Sequence, residues 1–303
     1  MFLVDHFLVP CSFLFLFLST SILGAEIPIQ ELPDVANKTE ILALAELAGN
    51  AYIYPDQSNA SVWRNTTGLY HYMDSYGWNV DGLRGHVFTH VSRSVLVISV
   101  KGTSLSSAED KNSANLICSC NCCSTYECSG EKTCNGERLS HALPTMYLSL
   151  LIDAYNDVLL DYPGRDVWFT GHSMGAVIAS LAAMMTCNPG IGFAAPGEQL
   201  FANRIGLRHG NCPSTIYHFG YYNDPIFNGQ CGWLCSMAGY HMDSQCHHGH
   251  ECVYGPAEAD GSGSGAIRSH GISFLIDNVI APRETVPTCD TVVKCTETCT
   301  SMV

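Results

Sequence analysis

The chain has 303 residues, 47% of them hydrophobic and only 14% charged, which is enough apolar material for one large core and too much for a disordered chain. A formal charge of −14 leaves no basic footprint for nucleic acid and weighs against long-range attraction to anionic membrane surfaces, so any lipid contact has to be local and apolar. Sixteen cysteines do not suit an ordinary cytosolic enzyme and point to an oxidising compartment with disulfides.

At the N-terminus an apolar stretch runs from Phe7 to Leu18 and continues brokenly to Ala25, ending among small residues. Residues 1–25 read as a signal peptide or signal anchor, with cleavage favoured, and direct the chain into the secretory pathway. Thr39 to Ala48 repeat apolar positions at helical spacing. Val87 to Thr89 and Ser94 to Val100 read as successive strands, the second of them buried, ending in the loop Lys101-Gly102-Thr103-Ser104. Leu105 to Arg138 is polar and cysteine-dense without helical or strand period, and reads as an insertion stapled rather than packed.

Leu139 to Leu160 returns to helical spacing, with Pro144 suited to a first turn. Asp166 to Thr170 then reads as a strand and Ala176 to Met185 as a helix. Gly190 to Ala195 and Thr215 to Gly220 follow as buried strands, separated by a short helix near Phe201 to Gly206. This alternation predicts an α/β fold with a mostly parallel central sheet, helices on both faces and cysteine-rich insertions, binding its ligand beyond the strands' carboxyl ends. The expected organisation is the 1–25 leader, a domain over 26–285 carrying the 105–138 insertion, and a cysteine-containing tail over 286–303.

The most specific segment is Thr170-Gly171-His172-Ser173-Met174-Gly175, a Gly-x-Ser-x-Gly turn between that strand and that helix. A serine hydroxyl is a poor nucleophile unless an exposed turn holds it beside a base, and here the following helix N-terminus lies under a developing oxyanion. The five-residue pattern alone is weak; the strand before it and the alanine-rich helix after it give it weight.

In hydrolases of this architecture an acid and then a histidine follow the nucleophile in the chain. Asp224 is the best acid, because Pro225 restricts it to extended conformations just past a strand. Asp243 and Asp260 are its rivals. His270, in a loop before the apolar run Ile272 to Ile280, is the best base. His241, His247, His248 and His250 compete with it. The backbone amides of Met174 and of Thr103 are the expected oxyanion donors. Cys246-His247-His248-Gly249-His250-Glu251-Cys252 has the crowding of a zinc site, yet oxidised cysteines do not ligate metal, and disulfide pairing is the reading preferred. No cofactor and no metal is called for. Asn37, Asn59 and Asn65 fit the glycosylation pattern.

Ile98-Ser99-Val100-Lys101-Gly102-Thr103, the elbow and Ile191-Gly192-Phe193-Ala194-Ala195-Pro196-Gly197 together resemble the class 3 lipases of the fungal triacylglycerol-lipase type. The segments 110–120, 218–226, 238–247 and 268–272 are similar to the autophagy-related vacuolar lipases. The resemblance implies an α/β-hydrolase acting on phospholipid or neutral-lipid esters at a membrane or droplet surface, in the secretory route or a vacuolar or lysosomal lumen, with Ser173, Asp224 and His270 as triad. It also implies that the 105–138 insertion covers the serine as a lid. Three positions depart from the family pattern: Met174 stands for leucine, Ala176 for glycine and Lys101 for arginine. The rival readings are a carboxylesterase for small soluble esters and a cysteine-rich binding protein that kept the scaffold without catalysis.

Overall fold

The computed structural model describes residues 30–54, 61–79, 82–104, 107–118, 147–207, 215–242, 244–256 and 267–292. One eight-stranded sheet runs through it in sequence order: β1 (Tyr70–Tyr76), β2 (Gly85–His90), β3 (Val95–Val100), β4 (Asp166–His172), β5 (Gly190–Phe193), β6 (Ile216–Tyr221), β7 (His250–Tyr254) and β8 (Cys289–Thr291). β1, β2 and β3 pair antiparallel, β3 to β7 pair parallel, and β8 closes the edge antiparallel to β7. The fold is the expected α/β class with a mostly parallel sheet.

The sequence explains why both faces are covered. β3 is apolar at every position but Ser99, which suits a strand buried on both sides. Alternation divides its side chains. Leu96, Ile98 and Val100 join Val167 and Phe169 of β4 in one cluster, whereas Val95 and Val97 join Trp168 in another. A monotonic strand order with right-handed crossovers sends the connecting helices to a single face. That face carries α2 (Ala108–Cys118), α3 (Tyr147–Asp161), α4 (Met174–Thr186) and α5 (Gln199–Arg204). The opposite face is filled by α1 (Lys38–Asn50) and the one-turn helix Leu275–Ile280. α1 begins where the Asn37 side chain accepts the Thr39 amide at 2.9 Å, and it ends just before Tyr52, which it delivers to the site described below.

Three local readings change. The described part of the 105–138 insertion is not aperiodic: it contains α2. Its buried face includes Asp110 and Asn115, held by Tyr147, Gly239 and His241, so a polar face was mistaken for a loop. Residues 119–138 lie outside the described residues. β1, β7 and β8 were unanticipated, because β1 is largely exposed and the other two are short. Cys289, placed in the tail, sits in β8 and is bridged to Cys252 of β7.

Candidate active site

Ser173 stands between β4 and α4 at φ 57° and ψ −127°, a conformation that costs an L-residue energy and is imposed by its neighbours. A Cβ at Gly171 would lie 2.5 Å from the Gly175 backbone, and one at Gly175 would lie 2.2 Å from the Val100 carbonyl oxygen. Both glycines are therefore required for the turn to close. Ala176 is accommodated because β5 offers Gly192, whose added Cβ would meet the Ala176 methyl at 3.0 Å. Met174 is buried in the core below.

β6 and the turn after it bring up Asp224, fully buried, whose Oδ1 accepts the Ile226 and Phe227 amides at 2.9 and 3.2 Å. The 3-10 turn Ile267–His270 brings up His270. Its Nδ1 lies 2.9 Å from Asp224 Oδ2, and its Nε2 lies 2.8 Å from Ser173 Oγ. Burial alone would raise the Asp224 carboxyl, but the charge and hydrogen bond of His270 and the two amides hold it below the ordinary value. The carboxylate is therefore the stable form, able to orient His270 and to balance an imidazolium. Ser173, Thr103 and His270 line a cavity of about 690 Å³, walled elsewhere mainly by apolar side chains such as Ile226, Met242 and Ile272. A serine, a base and an anchored acid in hydrogen-bonded series at an apolar cavity are equipped for acyl transfer.

Residues 98–192 match the family model described as Lipase (class 3). Over this segment the chain is similar to the class 3 lipases. Curated proteins named "Putative lipase ATG15" from Passalora fulva and Eremothecium gossypii are 33% and 34% identical to it, over 88% and 85% of its length. It spans 44% and 53% of those two proteins, about half of the relatives it matches. A crystal structure of a lipase from Rhizopus microsporus var. chinensis shares 14% identity with a TM-score of 0.42, covering 76% of this chain and 84% of that one.

The loop after β3 is anchored by the insertion. Lys101 Nζ donates to the Gly102 carbonyl at 2.8 Å and lies 3.4 Å from Asp110 Oδ2, which also accepts the Ser104 amide. Thr103 is thereby held at the cavity wall, across from the start of α4 where Met174 sits.

Two supporting residues escaped the sequence reading. His172 Nε2 lies 2.7 Å from the backbone carbonyl of His270, and His172 Nδ1 lies 2.8 Å from the Tyr52 hydroxyl. A carbonyl only accepts, so Nε2 carries the proton and Nδ1 accepts from Tyr52. Burial and the neighbouring His270 hold His172 down to a pKa of about 3, which keeps it neutral. His172 was legible inside the elbow motif, whereas nothing local marks Tyr52.

None of the rival histidines lines the cavity with Ser173. The backbone amides of His241 and His248 donate to Asn115 and Glu198, and His250 Nδ1 lies 3.2 Å from Thr291 Oγ1. Asp243 and Asp260 lie outside the described residues. Cys246 and Cys252 are both disulfide-bonded, which closes them to zinc. Instead, the buried Glu198, His218 and His247 cluster with ligand-type atoms within 4.8 Å of one another.

His247 is poorly suited to a metal, since Nδ1 is 2.9 Å from Glu251 Oε1 and Nε2 is 2.8 Å from the Ala195 carbonyl. Two acceptors require two N–H donors, so the ring is an imidazolium. Desolvation opposes that charge, but Glu251 and Glu198 outweigh it and raise the His247 pKa. His218 Nε2 lies 3.1 Å from Glu198 Oε1 as a second pair. Of the glycosylation candidates, Asn37 and Asn65 are exposed, and Asn59 lies outside the described residues.

Proposed function

We propose that this chain is a serine-dependent hydrolase of carboxylic esters in lipids, acting on membrane phospholipid, triacylglycerol or both. The observation that supports it most is the series Ser173 Oγ to His270 Nε2 at 2.8 Å and His270 Nδ1 to Asp224 Oδ2 at 2.9 Å, opening on an apolar cavity. The similarity to proteins named as lipases points the same way.

In this reading the Ser173 oxygen attacks the ester carbonyl while His270 Nε2 takes its proton. The oxyanion that forms is held by the amides of Met174 and Thr103, each donor being worth about 3 kcal/mol in the transition state. Collapse expels the alcohol, which receives the proton from His270. A water then repeats the sequence on the acyl-serine and frees the fatty acid. Asp224 stays ionised throughout and stabilises the imidazolium.

The proposed setting is the lumen of the secretory route or of a vacuole or lysosome, where disulfides and glycans at Asn37, Asn59 and Asn65 protect the fold and autophagic membranes are a fitting substrate. Among the described residues no helix is long and apolar enough to cross a membrane. The leader over 1–25 lies outside them.

The test is release of fatty acid from phosphatidylserine and phosphatidylcholine vesicles and from a triacylglycerol emulsion, by the chain and its Ser173→Ala variant. Release abolished by the substitution is expected. A well-folded chain that cleaves neither these lipids nor a short ester would point instead to a binding protein on a retained scaffold.

A further inference from the structure

We propose that Arg268 forms a subsite for the phosphate of a glycerophospholipid, making it a specificity-determining residue of the reaction proposed above, on which this inference rests. Arg268 lines the same cavity as Ser173 and His270. It is the only Lys or Arg among the described residues that line it, and no Asp or Glu does so. In a chain with 14 basic and 28 acidic residues, a guanidinium at this place is distinctive.

The guanidinium makes no ion pair with a described residue. It rests 6.0 Å over the Phe274 ring, a contact that leaves its N–H donors available. Ser273, exposed at the same wall, adds a hydroxyl. A planar fork of donors matches phosphate oxygens better than a point charge does.

Position makes the match useful. Arg268 precedes His270 by two residues in one 3-10 turn, so their Cα atoms are within about 7 Å of each other. In a glycerophospholipid the phosphorus is separated from each scissile ester by the short glycerol backbone alone. An ester seated between Ser173 and His270 thus puts its phosphate within reach of a residue beside His270. The overall negative charge repels anionic headgroups at long range, and a single local cation offsets this only at the correct binding pose. A neutral glyceride offers this group no anion to bind.

The experiment compares the chain with Arg268→Gln and Arg268→Lys on two substrates with identical acyl chains, phosphatidylcholine and diacylglycerol, in the same detergent micelles. The expected result is a loss of roughly 10- to 100-fold in kcat/KM on phosphatidylcholine for Arg268→Gln, with diacylglycerol changed by less than about twofold and much of the loss restored by lysine. Equal losses on both substrates would show that Arg268 supports His270 and not a phosphate, and no loss on either would show that it binds no lipid phosphate; each overturns the proposal. Inorganic phosphate forms a third arm. If it inhibits diacylglycerol cleavage by the unaltered chain but not by Arg268→Gln, while the preference for phosphatidylcholine does not depend on Arg268, the residue serves free anions and the headgroup subsite is wrong. If the unaltered chain cleaves neither lipid, the hydrolase reading itself falls and takes the subsite with it, an outcome distinct from all of these.

Discussion

His172 donates its Nε2 proton to the backbone carbonyl of His270 at 2.7 Å, so the residue before the proposed nucleophile fixes the main chain of the proposed base. The same ring accepts the Tyr52 hydroxyl at 2.8 Å, and Tyr52 in turn meets the Gly102 amide. One chain of hydrogen bonds thus ties the end of α1, the proposed oxyanion loop, the elbow and the proposed base together. Removing His172 takes the donor from the His270 carbonyl and the acceptor from the Tyr52 hydroxyl proton, at a cost of about 1–3 kcal/mol. His172→Phe is expected to lower kcat on a short soluble ester by roughly 10- to 100-fold, and Tyr52→Phe by less, with KM little changed. Steady-state kinetics on that ester decide it; a raised KM at constant kcat would place both residues in substrate binding.

The elbow stores strain at Ser173, whose positive φ of 57° suits glycine better than any L-residue. Ser173→Ala and Ser173→Gly should both be inactive. The glycine variant should nonetheless be the more stable of the two by about 1 kcal/mol, since it relieves a conformation costing an L-residue about that much. Urea denaturation of the two variants measures the difference, and an alanine variant as stable as the glycine one would remove the case for strain.

How much of this was legible follows from where each signal lies in the chain. Ser173, Asp224 and His270 were legible because each carries its own local sign: glycines that a strained turn needs, a proline that fixes the preceding residue, and a loop before a late apolar run. Tyr52 was not, since its partner His172 lies 120 positions away and a tyrosine after a helix has no distinguishing neighbours. Glu198, His218 and His247 come from the loop after β5, from β6 and from the loop before β7, and only the sheet order brings them together. α2 failed for a different reason. Helical period is read from apolar side chains, and here they crowd the last turn as Ala114 and Leu116 to Cys118, while the buried position of the first turn is the polar Asp110.

The disulfide Cys252–Cys289 closes a separation of 37 residues and holds β8 on the sheet edge. A covalent link over a loop of that length limits the unfolded chain, contributing about 4 kcal/mol at most. Cys289→Ser combined with Cys252→Ser is expected to lower the unfolding free energy by about 2–4 kcal/mol, while the kinetics on a short ester stay near those of the parent because no member of the proposed triad lies on β7 or β8. Denaturant titration and a single assay at low temperature check both halves. Loss of activity in a protein that remains folded would mean that the edge strand positions the site.

His247 predicts an opposite pH dependence to that of the carboxylates that folding acidifies. Glu198, Glu251 and Asp224 have lowered pKa values in the folded chain, so the stability they contribute is present above their unfolded values and is lost as pH falls through the folded ones. His247 has a raised value: the folded chain holds its proton more tightly than the unfolded chain does. Its contribution is complete below the unfolded value of 6.5 and disappears as pH rises through the folded one. His172 is lowered to about 3, so its burial makes the folded chain gain stability as pH rises from about 3 to 6.5. These trends overlap, and a single melting curve does not separate them.

Comparison with His247→Gln does separate them, because Glu198, His218 and Glu251, which face the ring from the neighbouring strands and loop, are kept. The difference in Tm between parent and variant should be largest in mildly acidic solution and should shrink steadily above neutrality. A difference that stays constant between pH 5 and pH 9 would show that folding leaves the His247 pKa unshifted. His247 also stacks on Phe227 at 4.5 Å, and the Phe227 amide holds Asp224 Oδ1. Loss of the imidazolium is therefore expected to reach the turn carrying the proposed acid through Phe227.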